Sequence, residues 1–159
     1  MKKILLILAI LLTVGCSSKD NVKSEETYSL KEYHQIINKI ESGSVTPHKP
    51  YFQARLFYSS MNNSYRYDLI IDKPKGTYKN IKCLSYSSYK KDSYHPSLGL
   101  FDTKQYSLKS NYIDKGKSYY KGISLSGLVT KKSPLKCYFE YTDDTNQRKH
   151  FIFEVNYET

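Results

Sequence analysis

The sequence predicts a mainly β protein: an antiparallel β-sandwich or partly open barrel of about seven strands, with one N-terminal amphipathic helix. Three observations support this prediction. Apolar and polar residues alternate in most segments after residue 52, turn residues separate these segments at short intervals, and no β-α-β alternation is present. Because 159 residues is the size of one domain with short appendages, we expect a single β-rich domain over residues 28–159.

The helix is predicted from Leu30 to Ser42. Ser29 and Glu32 have the spacing of a capping box, and Gly43 follows as a stop signal. One helical stripe collects the apolar residues Leu30, Tyr33, Ile36, Ile37 and Ile40. We expect this stripe to dock on the core of the domain rather than on a partner helix. Residues 16–27 are polar and without period, which predicts a flexible tether ahead of the domain.

The strands are predicted in turn-linked pairs. The first hairpin covers residues 52–58 and 65–71, and the last covers residues 135–141 and 151–157. A weaker strand is predicted over residues 78–86, a long loop over 87–103, and further strands over 106–112 and 123–129. Since every connection is a short turn or a loop, we expect these strands to pair antiparallel.

The N-terminus has the pattern of an exported chain. Two lysines precede an apolar run from Ile4 to Leu12, which is too short to span a bilayer. The following Thr13-Val14-Gly15-Cys16 resembles the lipobox of bacterial prolipoproteins. This resemblance implies that residues 1–15 are a signal peptide, that cleavage occurs before Cys16, and that membrane lipid is attached to the Cys16 sulfur. The alternatives are an ordinary signal peptide with a chance cysteine, or an uncleaved anchor.

Within the same resemblance, the residue after the cysteine indicates the membrane to which the lipoprotein is sorted. In Gram-negative lipoproteins, Ser17 at this position points to the outer membrane, because inner-membrane retention usually uses Asp. We therefore expect a lipid-anchored protein of the outer membrane that faces the periplasm. Two or three acyl chains hold a protein on a membrane where one chain does not.

Two cysteines, Cys83 and Cys137, remain after lipidation. An even pair in an exported chain predicts a structural disulfide. The alternatives are a catalytic thiol or a metal pair. Neither cysteine has a C-x-x-C companion or a histidine at ligand spacing, which favours the disulfide.

No catalytic site, metal site or cofactor is predicted. The four histidines are far apart in sequence, and neither a nucleophile elbow nor a phosphate-binding glycine loop is present. A cell-wall or glycan-acting enzyme stays as an alternative. It would require two carboxylates in one cleft, for example Asp68 and Asp102 brought together by the fold.

Positive charge is concentrated in the middle of the chain. Residues 73–136 hold 14 lysines and three aspartates, a net charge of +11, together with eight tyrosines. The candidate partner-binding lysines are Lys79, Lys82, Lys90, Lys91, Lys104, Lys109, Lys117 and Lys121. On a shared face they would attract an anionic partner; the alternative is that they are the outward positions of exposed strands.

The expected function is a non-enzymatic binding module, such as an inhibitor, an immunity protein or an accessory subunit of an envelope machine. An exported chain seldom meets nucleic acid, so the expected partner is an anionic envelope component or a protein. Leu98, Leu100 and Phe101 in the long loop either pack under the sheet or form an apolar anchor for a protein partner. A purely structural envelope protein is the third alternative.

Overall fold

The computed structural model describes residues 18–46, 51–89, 92 and 94–158. Among these residues, one long helix, α1 (Ser18–Ser42), precedes the strands, and a 3₁₀ turn covers Lys115–Lys117. Nine strands follow the helix in the described part of the chain: β1 (Gln53–Met61), β2 (Ser64–Asp72), β3 (Thr77–Tyr86), β4 (Ser97–Leu98), β5 (Ser107–Lys109), β6 (Tyr119–Tyr120), β7 (Gly122–Val129), β8 (Leu135–Thr142) and β9 (Arg148–Val155).

The strands form two sheets that are not closed into a barrel, which confirms the predicted β-sandwich. The smaller sheet has the order β1-β2-β7, and the larger has the order β6-β5-β3-β8-β9, with β4 pairing beside β3. Both predicted hairpins are present, as β1 with β2 and β8 with β9. Two details differ from expectation: there are nine strands because β4 and β6 are two-residue pairings, and β5 pairs with β6 in parallel.

The main core lies between the two sheets. Its largest fully buried members include Leu56 and Leu69 from the smaller sheet and Phe139 from the larger one. Strand alternation explains this placement, because every second side chain of a strand points to the same face. Leu84 follows the core residue Cys83, and Tyr138 follows the core residue Cys137, so both side chains point to the opposite face of the larger sheet.

A second apolar cluster holds α1 on the outer face of the larger sheet. Ile36 and Ile40 from the helix pack against Leu84, Tyr138 and Ile152, and all five are buried. This confirms that the apolar stripe of the helix docks on the domain, with the exception of Leu30, which is 50% exposed. The molecule thus has three layers: the helix, the larger sheet and the smaller sheet.

The helix begins at Ser18 rather than at Leu30, so the prediction of a flexible tether is corrected for residues 18–27. This segment has no glycine or proline to break a helix. Ser29 lies inside the helix and is not its N-cap. Within the described chain, no helix has the length and apolarity needed to cross a membrane. Residues 1–17, including Cys16 and Ser17, lie outside the described residues.

Candidate functional site

A polar cavity of about 360 Å³ opens where α1 crosses β8 and β9. Alternation places the odd-numbered neighbours Cys137 and Phe139 in the main core and turns Tyr138 and Glu140 toward the helix. The lining comes from one helix face and two adjacent strands: Glu32, Gln35, Ile36, Lys39, Tyr138, Glu140, Arg148 and His150. The cavity is therefore built by elements far apart in sequence.

One guanidinium joins the two carboxylates of the cavity. Arg148 donates from Nε to Glu140 Oε1 at 2.6 Å, and its Nη2 atom lies 2.5 Å from the same oxygen. The same Nη2 atom donates to Glu32 Oε1 at 3.2 Å. Lys82 Nζ, from β3, also donates to Glu32 Oε1 at 2.6 Å. Each carboxylate is thus matched by a cation.

Glu140 is buried, with 7% of its surface exposed, and both of its oxygens are engaged. Its Oε2 atom accepts a 2.6 Å hydrogen bond from the hydroxyl of Tyr138. Burial, and then this hydrogen bond to Glu140, raise the pKa of Tyr138, so the hydroxyl stays protonated and donating. The hydrogen bond that Arg148 donates to Glu140 likewise raises the pKa of Arg148. A buried carboxylate needs this degree of pairing to be tolerated.

Hydrogen-bond donors facing the cavity remain available to a ligand. Among the described residues, the side chains of Gln35, Lys39 and His150 have no hydrogen-bond partner, and all three residues are exposed. Arg148 Nη1 is similarly unengaged within that part of the chain. His150 stacks on Tyr138 with ring centroids 5.6 Å apart, and Lys39 Nζ lies 5.9 Å from the centroid of the same ring.

The two aspartates considered for a glycan-acting site are separated by the fold. Asp68 lies on the exposed face of the smaller sheet, where it accepts hydrogen bonds from Ser126 and Arg66. Asp102 accepts from the Gly99 amide, in the loop that carries Leu100 under α1. They are on opposite sides of the sandwich. No group of three or more metal-ligating side chains occurs among the described residues.

The candidate lysines do not all carry free charge. Six of the eight are described, and three of these have carboxylate partners: Lys79 with Asp144, Lys82 with Glu32, and Lys117 with Asp114. Lys104 and Lys121 are exposed, and Lys109 Nζ lies 5.3 Å from the ring centroid of Tyr112. Lys90 and Lys91 lie outside the described residues. A single binding face formed by these lysines stays a prediction.

The loop residues divide between two roles. Leu98 is 8% exposed in the main core, and Leu100 is 6% exposed in the cluster under α1. Neither presents its side chain to a partner, so the structure contradicts their assignment as partner-binding residues and favours packing under the sheet. Phe101 is 52% exposed and lies against Tyr33 with ring centroids 5.6 Å apart. Only this member of the three has the exposure of an anchor.

Cys83 and Cys137 meet in the centre of the main core. Both are fully buried as free thiols, with Sγ atoms 3.3 Å apart on the neighbouring strands β3 and β8. Burial raises the pKa of the Cys137 thiol, which opposes the nucleophilic alternative. The disulfide itself stays a prediction, and the proximity of the sulfurs supports it.

Sequence reasoning assigned Glu32 only to a capping box and did not identify Glu140, Arg148, Tyr138 or His150. One signal was present in the sequence: Glu140 is a lone acid in an otherwise apolar strand segment, where a buried charge requires a partner. Its partner is on the next strand, and the third member of the network, Glu32, is 116 residues from Arg148. Comparison with protein-family models, curated proteins and solved structures found no match to this chain.

Proposed function

We propose that this chain is a lipid-anchored outer-membrane protein facing the periplasm, whose β-sandwich domain is a non-enzymatic binding module for an anionic envelope component. The anchor is supported by the resemblance of Thr13–Cys16 to a lipobox. The binding role is supported chiefly by the cavity beside α1, where two carboxylates are neutralised and several donors are left open.

The glycan-acting alternative has a specific observation in its favour, because the cavity does hold two carboxylates. Both Oε1 atoms lie within 3.2 Å of Arg148 Nη2. A glycosidase requires one carboxyl group that is protonated at working pH and a second that is free to attack or to activate water. Glu140 has both oxygens occupied by donors, and Glu32 is bonded to two cations. This pairing favours binding over hydrolysis.

Co-sedimentation tests the binding role with the full-length protein in detergent. Purified peptidoglycan sacculi present carboxylates, and lipopolysaccharide aggregates present phosphates. We expect the protein to sediment with at least one of them and to release no soluble fragments. The absence of binding to both would overturn the proposal.

Hydrolysis is distinguished in the same samples by assaying the supernatant for new reducing ends. Glu140→Gln and Asp68→Asn are compared, since Asp68 lies on the opposite face of the sandwich. Release of fragments that is lost in Glu140→Gln but kept in Asp68→Asn would establish the enzyme instead. The binding module predicts no release from any of the three proteins.

A further inference from the structure

We propose that the cavity between α1 and β8–β9 is the binding site for the anionic group of the ligand, a phosphomonoester or a carboxylate. The inference rests on the proposed function and assigns the binding of the anionic component to this cavity. The cavity is distinct from the lysine-rich strands that the sequence singled out, since Lys82 alone among the six described candidate lysines contacts its network.

The charge of the cavity favours an anion. The carboxylates of Glu32 and Glu140 are balanced by Arg148 and Lys82, and Lys39 then adds a positive charge with no carboxylate partner in the described chain. Among the described residues that line the cavity, only one carboxylate oxygen, Glu32 Oε2, is left for a cation, and it belongs to a carboxylate that already pairs with Lys82 and Arg148. The electrostatic balance therefore opposes a metal ion or an amine.

The open donors come from opposite walls of the cavity. Gln35 and Lys39 are four residues apart on α1 and so lie one above the other on the same helix face. Arg148 and His150 are two residues apart on β9 and point to the same side of the strand. An oxyanion between the walls would thus receive hydrogen bonds from both, which is how proteins bind planar or tetrahedral anions.

The guanidinium is also held in place before any ligand arrives. Glu140 fixes Arg148 through Nε and Nη2, and Glu140 is itself fixed by the hydroxyl of Tyr138. Nη1 has no partner among the described residues, while Nε and Nη2 of the same guanidinium are already held by carboxylates. Preorganisation of this kind lowers the entropic cost of binding.

Three sugars with one ring provide the probes: glucose 6-phosphate, glucuronate and glucose. Binding of each to the full-length protein in detergent is measured by equilibrium dialysis. We expect one of the two anions to bind at least ten-fold more tightly than glucose, and the one that does identifies phosphate or carboxylate as the natural group. The proposal is overturned if both anions bind only as tightly as glucose. It is also overturned if neither anion binds at ten times the concentration at which glucose is tested.

Lys39→Gln tests the site, because Lys39 is exposed and has no ion pair with any described residue, so we expect the variant to fold normally. Loss of one charge-assisted hydrogen bond should weaken anion binding about ten-fold. Lys31→Gln is the matched control, since Lys31 is exposed on the same helix outside the cavity, and it should bind like the unmodified protein. Equal affinities of the two variants would overturn the assignment.

The failure of this inference is distinguishable from the failure of the proposed function. Sedimentation with sacculi or lipopolysaccharide that is unaffected by Lys39→Gln would keep the binding module and place its site elsewhere. Loss of sedimentation in every protein would instead remove the proposed function. Weaker sedimentation of Lys39→Gln alone supports both.

Discussion

Reduction of the Cys83–Cys137 pair should remove a large part of the stability of the domain. The sulfurs already lie 3.3 Å apart and are separated by 54 residues along the chain. On the chain-entropy model, a bond closing a loop of that length stabilises the folded state by about 4 kcal/mol. Net stabilities of single domains are of order 5–15 kcal/mol, so this is a substantial share.

Urea unfolding of the mature protein, followed by far-UV circular dichroism with and without reductant, measures this contribution. With a urea slope of roughly 2 kcal/mol/M for a domain of this size, the midpoint should fall by about 2 M on reduction. Because both sulfurs are fully buried, the reductant must be added before unfolding and allowed to equilibrate through the unfolded state.

The double variant Cys83→Ala/Cys137→Ala is the control, since its midpoint should not respond to reductant. A midpoint of the unmodified protein that is equally insensitive would refute the disulfide. Titration of two free thiols in denaturant, on protein purified from the envelope without reductant, would refute it independently.

Three other outcomes are expected. Leu84→Ala should lower the free energy of unfolding by about 2–5 kcal/mol, because Leu84 is fully buried under α1, whereas Leu128→Ala, 57% exposed, should change it by less than about 0.5 kcal/mol in denaturant titrations. Burial lowers the pKa of His95 in the folded state. As the pH decreases through the unfolded-state value of about 6.5, the unfolded state therefore binds a proton before the folded state does, and the stability of the protein decreases. His95→Gln should reduce the change in thermal midpoint between pH 7.5 and 5.5, whereas His34→Gln, at an exposed position, should leave that change as it is in the unmodified protein. Identical pH dependence of the midpoint in the two variants would contradict this. Cys16→Ser should move the protein from the membrane to the soluble fraction, and continued retention by sedimentation would count against lipidation.

Strand positions were predictable because alternation records which face of a strand is buried. The hairpins β1–β2 and β8–β9 are joined by short turns, so their pairing is also local information. The neighbours β2–β7 and β3–β8 are distant in sequence, and nothing local specifies them. The same holds for the two-residue strands β4 and β6, which are too short to show a period.

The start of the helix was mispredicted because a local signal was overridden. Ser29 and Glu32 have capping spacing, but a cap is needed only where the helix begins. Since residues 18–28 contain no helix breaker, the backbone continues through Ser29 and satisfies those amides internally. The Glu32 carboxylate is then free to reach Lys82 and Arg148.

The cavity could not be read from the sequence because its two walls meet only after the helix docks. The sequence did indicate that the helix docks and that β8 and β9 pair, but the point at which α1 crosses the sheet depends on Ile36 and Ile40 packing on Leu84 and Tyr138. Charge counting likewise indicated an excess of lysines without showing which of them carboxylates neutralise. Ion pairs between distant segments, such as Lys82 with Glu32, are set by tertiary structure.

The intact mass of the protein purified from native membranes tests the central claim of an exported, lipid-anchored binding domain most directly. The account predicts a chain that begins at Cys16 and carries at least the added mass of a diacylglyceryl group with its two acyl chains. Its mass should also be two hydrogens below that of the form in which Cys83 and Cys137 are both thiols. A chain that retains residues 1–15, or an unacylated Cys16, would contradict it.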